Sequence, residues 1–221
     1  KKEIWFKFGK HYYSRKKYKE ALIWFNKLDP QDINSKQKEE LLFKKGYSFF
    51  KEGNIELARS FFYDVKDGET QYAEPSLYYY SHIAYQNKKY QLALNGFLKL
   101  EKSEKFSSVV PYYITQIYYL QKKYEEVTLY TSSFVGDKNV FNRKDLNYLI
   151  GDAFYRIKKY DEAIPYFEKH NKSSKTTREE DYCLGYSYFK AGLYEKAITV
   201  FDKIKEAEDS LGQVVYYHIA E

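Results

Sequence analysis

The sequence predicts an all-α chain, a solenoid of stacked helix-turn-helix units, and three observations predict it. A skeleton of residue types recurs: Leu184-Gly185, Tyr188, Tyr194, Ala197 and Phe201 keep the spacing of Phe8-Gly9, Tyr12, Tyr18, Ala21 and Phe25. Laying every copy on the glycine gives Gly9, Gly46, Ser81, Thr115, Gly151, Gly185 and Tyr217, in steps of 37, 35, 34, 36, 34 and 32 residues. A period of about 34 is that of a paired-helix repeat. The composition is the second observation: 27 Tyr and 16 Phe stand against 10 Gly and 4 Pro, with no strand-type alternation. The third is where the small residues fall. Gly and Ala take the places where two helices approach closely, and rings fill the space around them. Neither helix of such a unit is buried by its own repeat, so neighbouring units supply the missing face. A solenoid grows by addition, and residues 1–221 read as one array.

Taken in order, the first unit pairs a helix at about 2–14 with one at about 18–28, stopped by Asp29-Pro30. The second has Gly46 at the crossing, Gly53-Asn54 as its turn and Ala58, Phe61 and Phe62 in its second helix, ending at Asp67-Gly68. The third opens at Glu74-Pro75, since a first-turn proline gives up only an N–H that has no helical partner, and runs through Tyr90, Ala93 and Phe97. The fourth departs from the pattern. Pro111 precedes Thr115 in the glycine position, and Val127 and Thr131 stand for Ala and Phe, which sets its helices further apart and makes it the weakest joint. The fifth recovers, although Pro165 should bend its second helix. The sixth is the most regular copy, and Leu211–Glu221 begins another first helix with apolar residues on more than one face. The units span 2–34, 36–70, 74–104, 107–139, 142–174 and 177–208, with a partial one at 209–221.

At Trp5, Phe8, Gly9, Tyr12, Ala21 and Phe25, and again at Gly151, Phe154, Ala163 and Phe167, the chain resembles the tetratricopeptide repeat family. The likeness extends over nearly the whole sequence. It implies a right-handed superhelix whose concave groove, lined by the first helix of each repeat, holds a partner peptide or helix. Three residues before the aligned glycine stand Phe6, Phe43, Tyr78, Tyr112, Tyr148 and Tyr182. Four residues after it stand Tyr13, Phe50, Tyr85, Tyr119, Tyr155 and Phe189. Seven residues is two helical turns, so each pair shares one face and the pairs make a double aromatic ladder. The same rings can also pack against neighbouring repeats, and that alternative stays open. One residue after the aligned glycine the type varies: Lys10, Tyr47, His82, Gln116, Asp152, Tyr186 and His218. Variation there suits partner specificity. The family's carboxylate clamp for chaperone tails needs Lys and Asn at rungs occupied here by aromatics, Lys10, Tyr47 and His82.

The turns carry a second regularity, Lys16-Lys17-Tyr18, Lys88-Lys89-Tyr90, Lys122-Lys123-Tyr124 and Lys158-Lys159-Tyr160. Lys pairs along one edge would meet an acidic surface, or simply keep charged turns solvated. The net charge of +6 is uneven: residues 1–110 hold 21 Lys and Arg against 14 Asp and Glu, residues 111–221 hold 16 against 17. Cys183 is the one cysteine, so no internal disulfide forms, and its place beside Leu184-Gly185 reads as packing. The longest uncharged run, Phe106–Gln121, is 16 residues and polar in part, too short for a membrane span.

Catalysis finds little support. His11, His82, His170 and His218 lie in different repeats, so no metal site and no cofactor are expected. There is no phosphate-cradling glycine loop, no H-E-x-x-H and no nucleophile elbow. Glu39-Glu40 and Glu179-Glu180 read as helix openings that favour the dipole. Three classes are in view. The first is a non-enzymatic protein-interaction scaffold. The second is an architectural or oligomerising module. The third, a helical-repeat nucleic-acid reader, would want a basic inner face, and the groove positions are aromatic. The chain lacks Met and opens on Lys1, which reads as a piece of a longer protein. Its Lys, Tyr, Phe and Asn-rich, Gly-poor composition is similar to repeat proteins of Bacteroides-like bacteria. That resemblance implies envelope assembly or secretion, at the periplasm or the outer-membrane periphery rather than the cytoplasm.

Overall fold

In the computed structural model the described residues are 1–132, 134, 140, 143–205 and 209–221, without the side chains of residues 32, 35, 36, 143 and 144. The proposed repeat bounds at 139, 142 and 208 lie outside them. Thirteen α-helices and no strand occur among the described residues. They divide into two compact units, Lys1–Val110 and Pro111–Glu221.

The first unit holds three antiparallel pairs: α1 (Lys2–Ser14) with α2 (Tyr18–Phe25), α3 (Ser35–Lys51) with α4 (Ile55–Val65), and α5 (Ala73–Gln86) with α6 (Tyr90–Lys99). Asp29 caps a 3-10 turn at Pro30–Asp32 by accepting from the Gln31 N–H, so α2 closes three residues earlier than its sequence pattern suggests. Asn34 and Asn54 cap α3 and α4 in the same way, accepting from Gln37 and Leu57. Since α3 opens at Ser35, Glu39 and Glu40 lie beyond its first turn, and the dipole reading of that pair is wrong. They act as tethers instead: Glu39 accepts from the Thr70 N–H and hydroxyl, and Glu40 pairs with Lys44 and with Lys10 of the preceding repeat.

The second unit holds α7 (Val110–Leu120), α8 (Tyr124–Thr131), α9 (Arg143–Arg156), α10 (Tyr160–Ser173), α11 (Arg178–Lys190), α12 (Tyr194–Phe201) and α13 (Ser210–Ala220). The first residue of α7 falls at the end of the first unit. Pro165 lies inside α10, which continues as α-helix to Ser173. Thr177 and Glu180 complete a reciprocal capping box at the start of α11, where the Glu179-Glu180 pair does meet the helix dipole.

Within each unit a second helix is wedged between two first helices, α2 and α4 in the first unit and α10 and α12 in the second. Phe25, Phe62, Phe97, Phe167 and Phe201 are fully buried, each one turn after a buried Ala21, Ala58, Ala93, Ala163 or Ala197. The alanine admits the next first helix: Ala58 and Phe62 pack with Tyr80 and Ile83, and Ala163 and Phe167 with Leu184 and Tyr188. The phenylalanine faces back onto the glycine of its own repeat. A Cβ on Gly185 would stand 2.5 Å from a Phe201 ring carbon, and one on Gly151 would stand 2.9 Å from Phe167. Where the glycine is absent, its volume is exchanged across the pair. Ser81 of repeat three is met by Gly96 on the second helix. In repeat four Thr115 and Thr131 stand at the glycine and phenylalanine positions, and both are buried.

Candidate functional site

The two rungs of the aromatic ladder have different surroundings. The earlier rung, three residues before the aligned glycine, leans on the buried phenylalanine of its own repeat. Ring centroids are 6.3 Å apart for Phe6–Phe25, 6.0 Å for Phe43–Phe62, 6.1 Å for Tyr78–Phe97, 6.2 Å for Tyr148–Phe167 and 6.0 Å for Tyr182–Phe201. Phe6 and Phe43 are buried outright, and the four tyrosines are half-buried with part of each ring at the surface. Tyr112, in the repeat that has Thr131 at the phenylalanine position, accepts a hydrogen bond from the Gln116 amide at 2.7 Å.

The later rung faces the turn and the next repeat. Tyr13, Tyr119, Tyr155 and Phe189 meet the first residue of the following second helix, Tyr18, Tyr124, Tyr160 and Tyr194, edge-on at 5.6–6.0 Å. Tyr85 and Tyr90 make the same pair at 6.1 Å. The sequence places this second ring in the repeat skeleton and in the Lys-Lys-Tyr turns; that it packs against the ladder ring is added by the structure. Across to the next repeat, the residue one after the aligned glycine closes on the same ring. Tyr13 meets Tyr47 at 5.8 Å, Phe50 meets His82 at 6.3 Å, Tyr155 meets Tyr186 at 5.9 Å and Phe189 meets His218 at 5.1 Å. Tyr119 reaches Asp152 through its hydroxyl, which donates to the carboxylate at 2.7 Å. The variable positions Tyr47, His82, Asp152, Tyr186 and His218 thus join consecutive repeats. Lys10 bridges in the same sense, by its ion pair to Glu40 at 2.9 Å.

Asp152 is almost wholly buried and carries two donors on one oxygen, Tyr119 and the Arg156 Nε–H at 2.7 Å. Paired this way the carboxylate holds the Arg156 guanidinium above its ordinary range. Burial pushes the phenols of Tyr13, Tyr79, Tyr119, Tyr148 and Tyr155 well up and that of Tyr182 to about 12. They are neutral hydroxyls at physiological pH, able to donate and accept. Burial lowers His82, so its imidazole favours the neutral form. Burial likewise raises the Cys183 thiol to about 12, which agrees with a packing role. Lysine amines lie over several of these rings, Lys44 over Tyr13, Lys51 over Tyr47 and Lys190 over Tyr186, at 5.1–5.4 Å from the centroids.

The turn lysines occupy a special backbone state. Lys16, Lys88, Lys122 and Lys158 have φ between 58° and 62°, the left-handed region, where the other two turns place Gly53 and Gly192. Each closes a first helix with one bond pattern, the following N–H reaching back five residues, as Lys123 to the Tyr118 carbonyl at 2.9 Å and Leu193 to Tyr188 at 2.9 Å. Among the described residues no group of three or more His, Cys, Asp or Glu is placed to hold a metal ion, and no helix is long and apolar enough to cross a membrane.

Among protein families, that of anaphase-promoting complex, cyclosome, subunit 3 matches residues 157–220. No curated protein matches the sequence. Among solved structures the chain is similar to PilF of Pseudomonas aeruginosa, with a TM-score of 0.61 at 15% identity over 98% of this chain and 96% of that one. It is similar to the C-terminal part of a tetratricopeptide-repeat protein from Cytophaga hutchinsonii, with 0.63 at 16% identity, 97% and 93% covered. A tetratricopeptide repeat protein from Parabacteroides merdae gives 0.51 at 17% identity, 99% and 83% covered. At these identities the likeness is one of fold.

Proposed function

From the premise that this chain has the tetratricopeptide-repeat fold, we propose that it is a non-catalytic scaffold holding a segment of another protein along the aromatic band of its first helices. The single observation that carries this is the later rung: Tyr13, Phe50 and Tyr85 in one unit and Tyr119, Tyr155 and Phe189 in the other are half-buried, every one of them keeping part of its ring at the surface, with lysines in or beside the adjoining turns. Tyrosine suits such a place, since it offers apolar area with little conformational entropy to lose and a hydroxyl that stays hydrated until a partner arrives. The earlier rung is the support. Phe6 and Phe43 hold the core shape, and Tyr78, Tyr112, Tyr148 and Tyr182 present only one side. Tyr47, His82, Gln116, Asp152 and Tyr186 tune the band by setting how consecutive rings are held.

The segment we envisage is an extended peptide or a helix with apolar side chains for the rings and carboxylates for Lys16, Lys17, Lys88, Lys89, Lys122, Lys123, Lys158 and Lys159. The reading takes residues 1–221 as one array of the repeats bounded above. A setting in bacterial envelope assembly or secretion rests on composition alone. Neutral rings at the groove positions weigh against nucleic acid as the ligand.

The test pairs stability with affinity. A partner segment is isolated on the intact chain, and Tyr85→Ala and Tyr13→Ala are measured against it. Loss of about 1–3 kcal/mol of binding with little change in melting is expected of an anchor ring. A lowered melting temperature with unchanged affinity would return these rings to packing and end the proposal.

A further inference from the structure

Asp152 is the one carboxylate buried among the described residues, and the repeat pattern does not call for it. The equivalent positions hold Lys10, Tyr47, His82, Gln116, Tyr186 and His218, none of them acidic. A carboxylate taken out of water is costly unless it is paired. Asp152 is paired through Oδ2, which accepts from the Tyr119 hydroxyl and from the Arg156 Nε–H, each at 2.7 Å. Arg156 stands one turn further along α9 with its side chain half exposed.

Five residues after the aligned glycine, the place of Arg156, the other repeats hold Ser14, Lys51, Gln86, Leu120 and Lys190. Lys51 and Lys190 lie over the rings one turn before them, Tyr47 and Tyr186, at 5.4 and 5.3 Å. In repeat five the ring is exchanged for a carboxylate and the lysine for an arginine, in a chain where five of the 37 basic residues are arginine. A lysine could neutralise Asp152 equally well, so charge alone does not explain the exchange. What arginine adds is a planar fork of five donors. Asp152 takes up Nε–H and is the one ion-pair partner of Arg156 among the described residues. Tyr124 of the preceding repeat flanks the guanidinium, its ring centroid 5.6 Å from Cζ. A carboxylate on one edge and a ring beside it thus orient the fork before any ligand arrives.

Resting on the groove reading above, we propose that Arg156 is a carboxylate subsite of the aromatic band. The bound segment sets an Asp or Glu side chain, or its own C-terminal carboxylate, on the outer edge of the guanidinium, where Nη1 and Nη2 give two parallel N–H···O bonds. Asp152 and Tyr119 are positioning residues that hold the arginine and do not touch the ligand. Because Asp152 already offsets one positive charge, the subsite offers directed donors rather than surplus charge. That suits a singly charged carboxylate over a phosphate dianion. The subsite lies at neither rung of the ladder, and it adds a polar requirement to an apolar contact.

The test uses three short probe peptides on the intact chain. One repeats Leu-Ser-Asp with both ends blocked, one repeats Leu-Ser-Asn in the same form, and one is the Leu-Ser-Asn peptide with a free C-terminal carboxylate. Affinity and the Arg156 Nε–H signal are followed together by NMR titration, the signal being assigned by its loss in Arg156→Gln. The native chain is expected to bind the Asp peptide about tenfold tighter than the blocked Asn peptide, with the Arg156 signal shifting, since a hydrogen bond to a charged group is worth at least that much. The same gain from the free-ended Asn peptide also supports the subsite and assigns its ligand to a chain end. Arg156→Gln is expected to abolish the preference, and Arg156→Lys to lose most of it although the charge is kept. Circular dichroism checks that both variants fold, and the comparison of peptides on the native chain needs neither of them. Equal binding of all three peptides with the Arg156 signal unmoved overturns the subsite and leaves the groove reading standing. A preference that survives Arg156→Gln overturns it too, because the turn lysines would then carry it. If none of the peptides binds, the subsite falls and the groove reading loses its support with it.

Discussion

At the residue scale, the turn between paired helices sets one identical demand and meets it in two ways. The closing residue of each first helix must adopt positive φ, and Gly53 and Gly192 do so with no penalty, while Lys16, Lys88, Lys122 and Lys158 carry a Cβ into the left-handed region. Replacing Lys122 by Gly is therefore expected to raise stability by about 1 kcal/mol, read as a higher midpoint in urea. The reverse change at Gly53 isolates the backbone contribution, because a Cβ there meets nothing within 4 Å. Gly53→Ala is expected to lower stability by about 1 kcal/mol with no loss of packing. The crossing glycines are constrained differently. Gly185→Ala drives a methyl into the Phe201 ring and is expected to cost about 1–3 kcal/mol.

At the scale of the element, a helix pair behaves as a fixed volume shared between two positions. Repeat four exchanges Gly and Phe for Thr115 and Thr131, both buried, and its departure from the pattern is reciprocal. Thr131→Phe alone should overpack its fully buried site and destabilise by about 1–3 kcal/mol. Adding Thr115→Gly should restore most of the loss, an interaction energy that a double-mutant cycle on denaturant unfolding reads directly. If the two changes simply add, the pair does not share volume. A second coupling lies between α1 and α3. Burial would raise the Glu40 carboxyl, but hydrogen bonds from Lys44 and Lys10 outweigh it and hold it below its ordinary range. A carboxyl depressed in the folded chain contributes stability above its unfolded value and loses it as pH falls through the folded one. The stability gap between the native chain and Glu40→Gln is thus expected at neutral pH and should vanish under acid, in thermal melts across that range.

For the whole molecule, contacts run between sequence neighbours, so stability is nearly a sum over adjoining pairs. The clusters around Phe25 and Phe62 lie wholly within Lys1–Val110. A fragment of residues 1–110 is accordingly expected to stay helical and melt cooperatively, checked by circular dichroism, with non-cooperative unfolding as the contrary result. The uneven charge has its strongest expression at the two ends, the basic α1 and the acidic segment through α13. Any long-range steering of a charged partner should fade with salt.

The all-α class, the helix pairs and their crossings were legible in the residues alone, because a Gly, an Ala and a Phe at fixed offsets are what two closely approaching helices require. Gly9, Gly46, Gly151 and Gly185 each meet the second-helix phenylalanine that their spacing implies. Helix ends were less legible. Glu39-Glu40 looked like an opening, and Asn34 capped the helix earlier, since a cap depends on local backbone geometry rather than on charge. The roles of the ladder belonged to the tertiary structure. From sequence, Phe6 and Tyr13 are equivalent aromatics on one face. Once repeats stack, the first leans on Phe25 inside its own unit and the second turns to Tyr18 and to Tyr47 of the next. Periodicity encodes which face a residue is on. How much of that face a neighbouring repeat covers is set by side chains more than thirty residues away, and only their packing decided it.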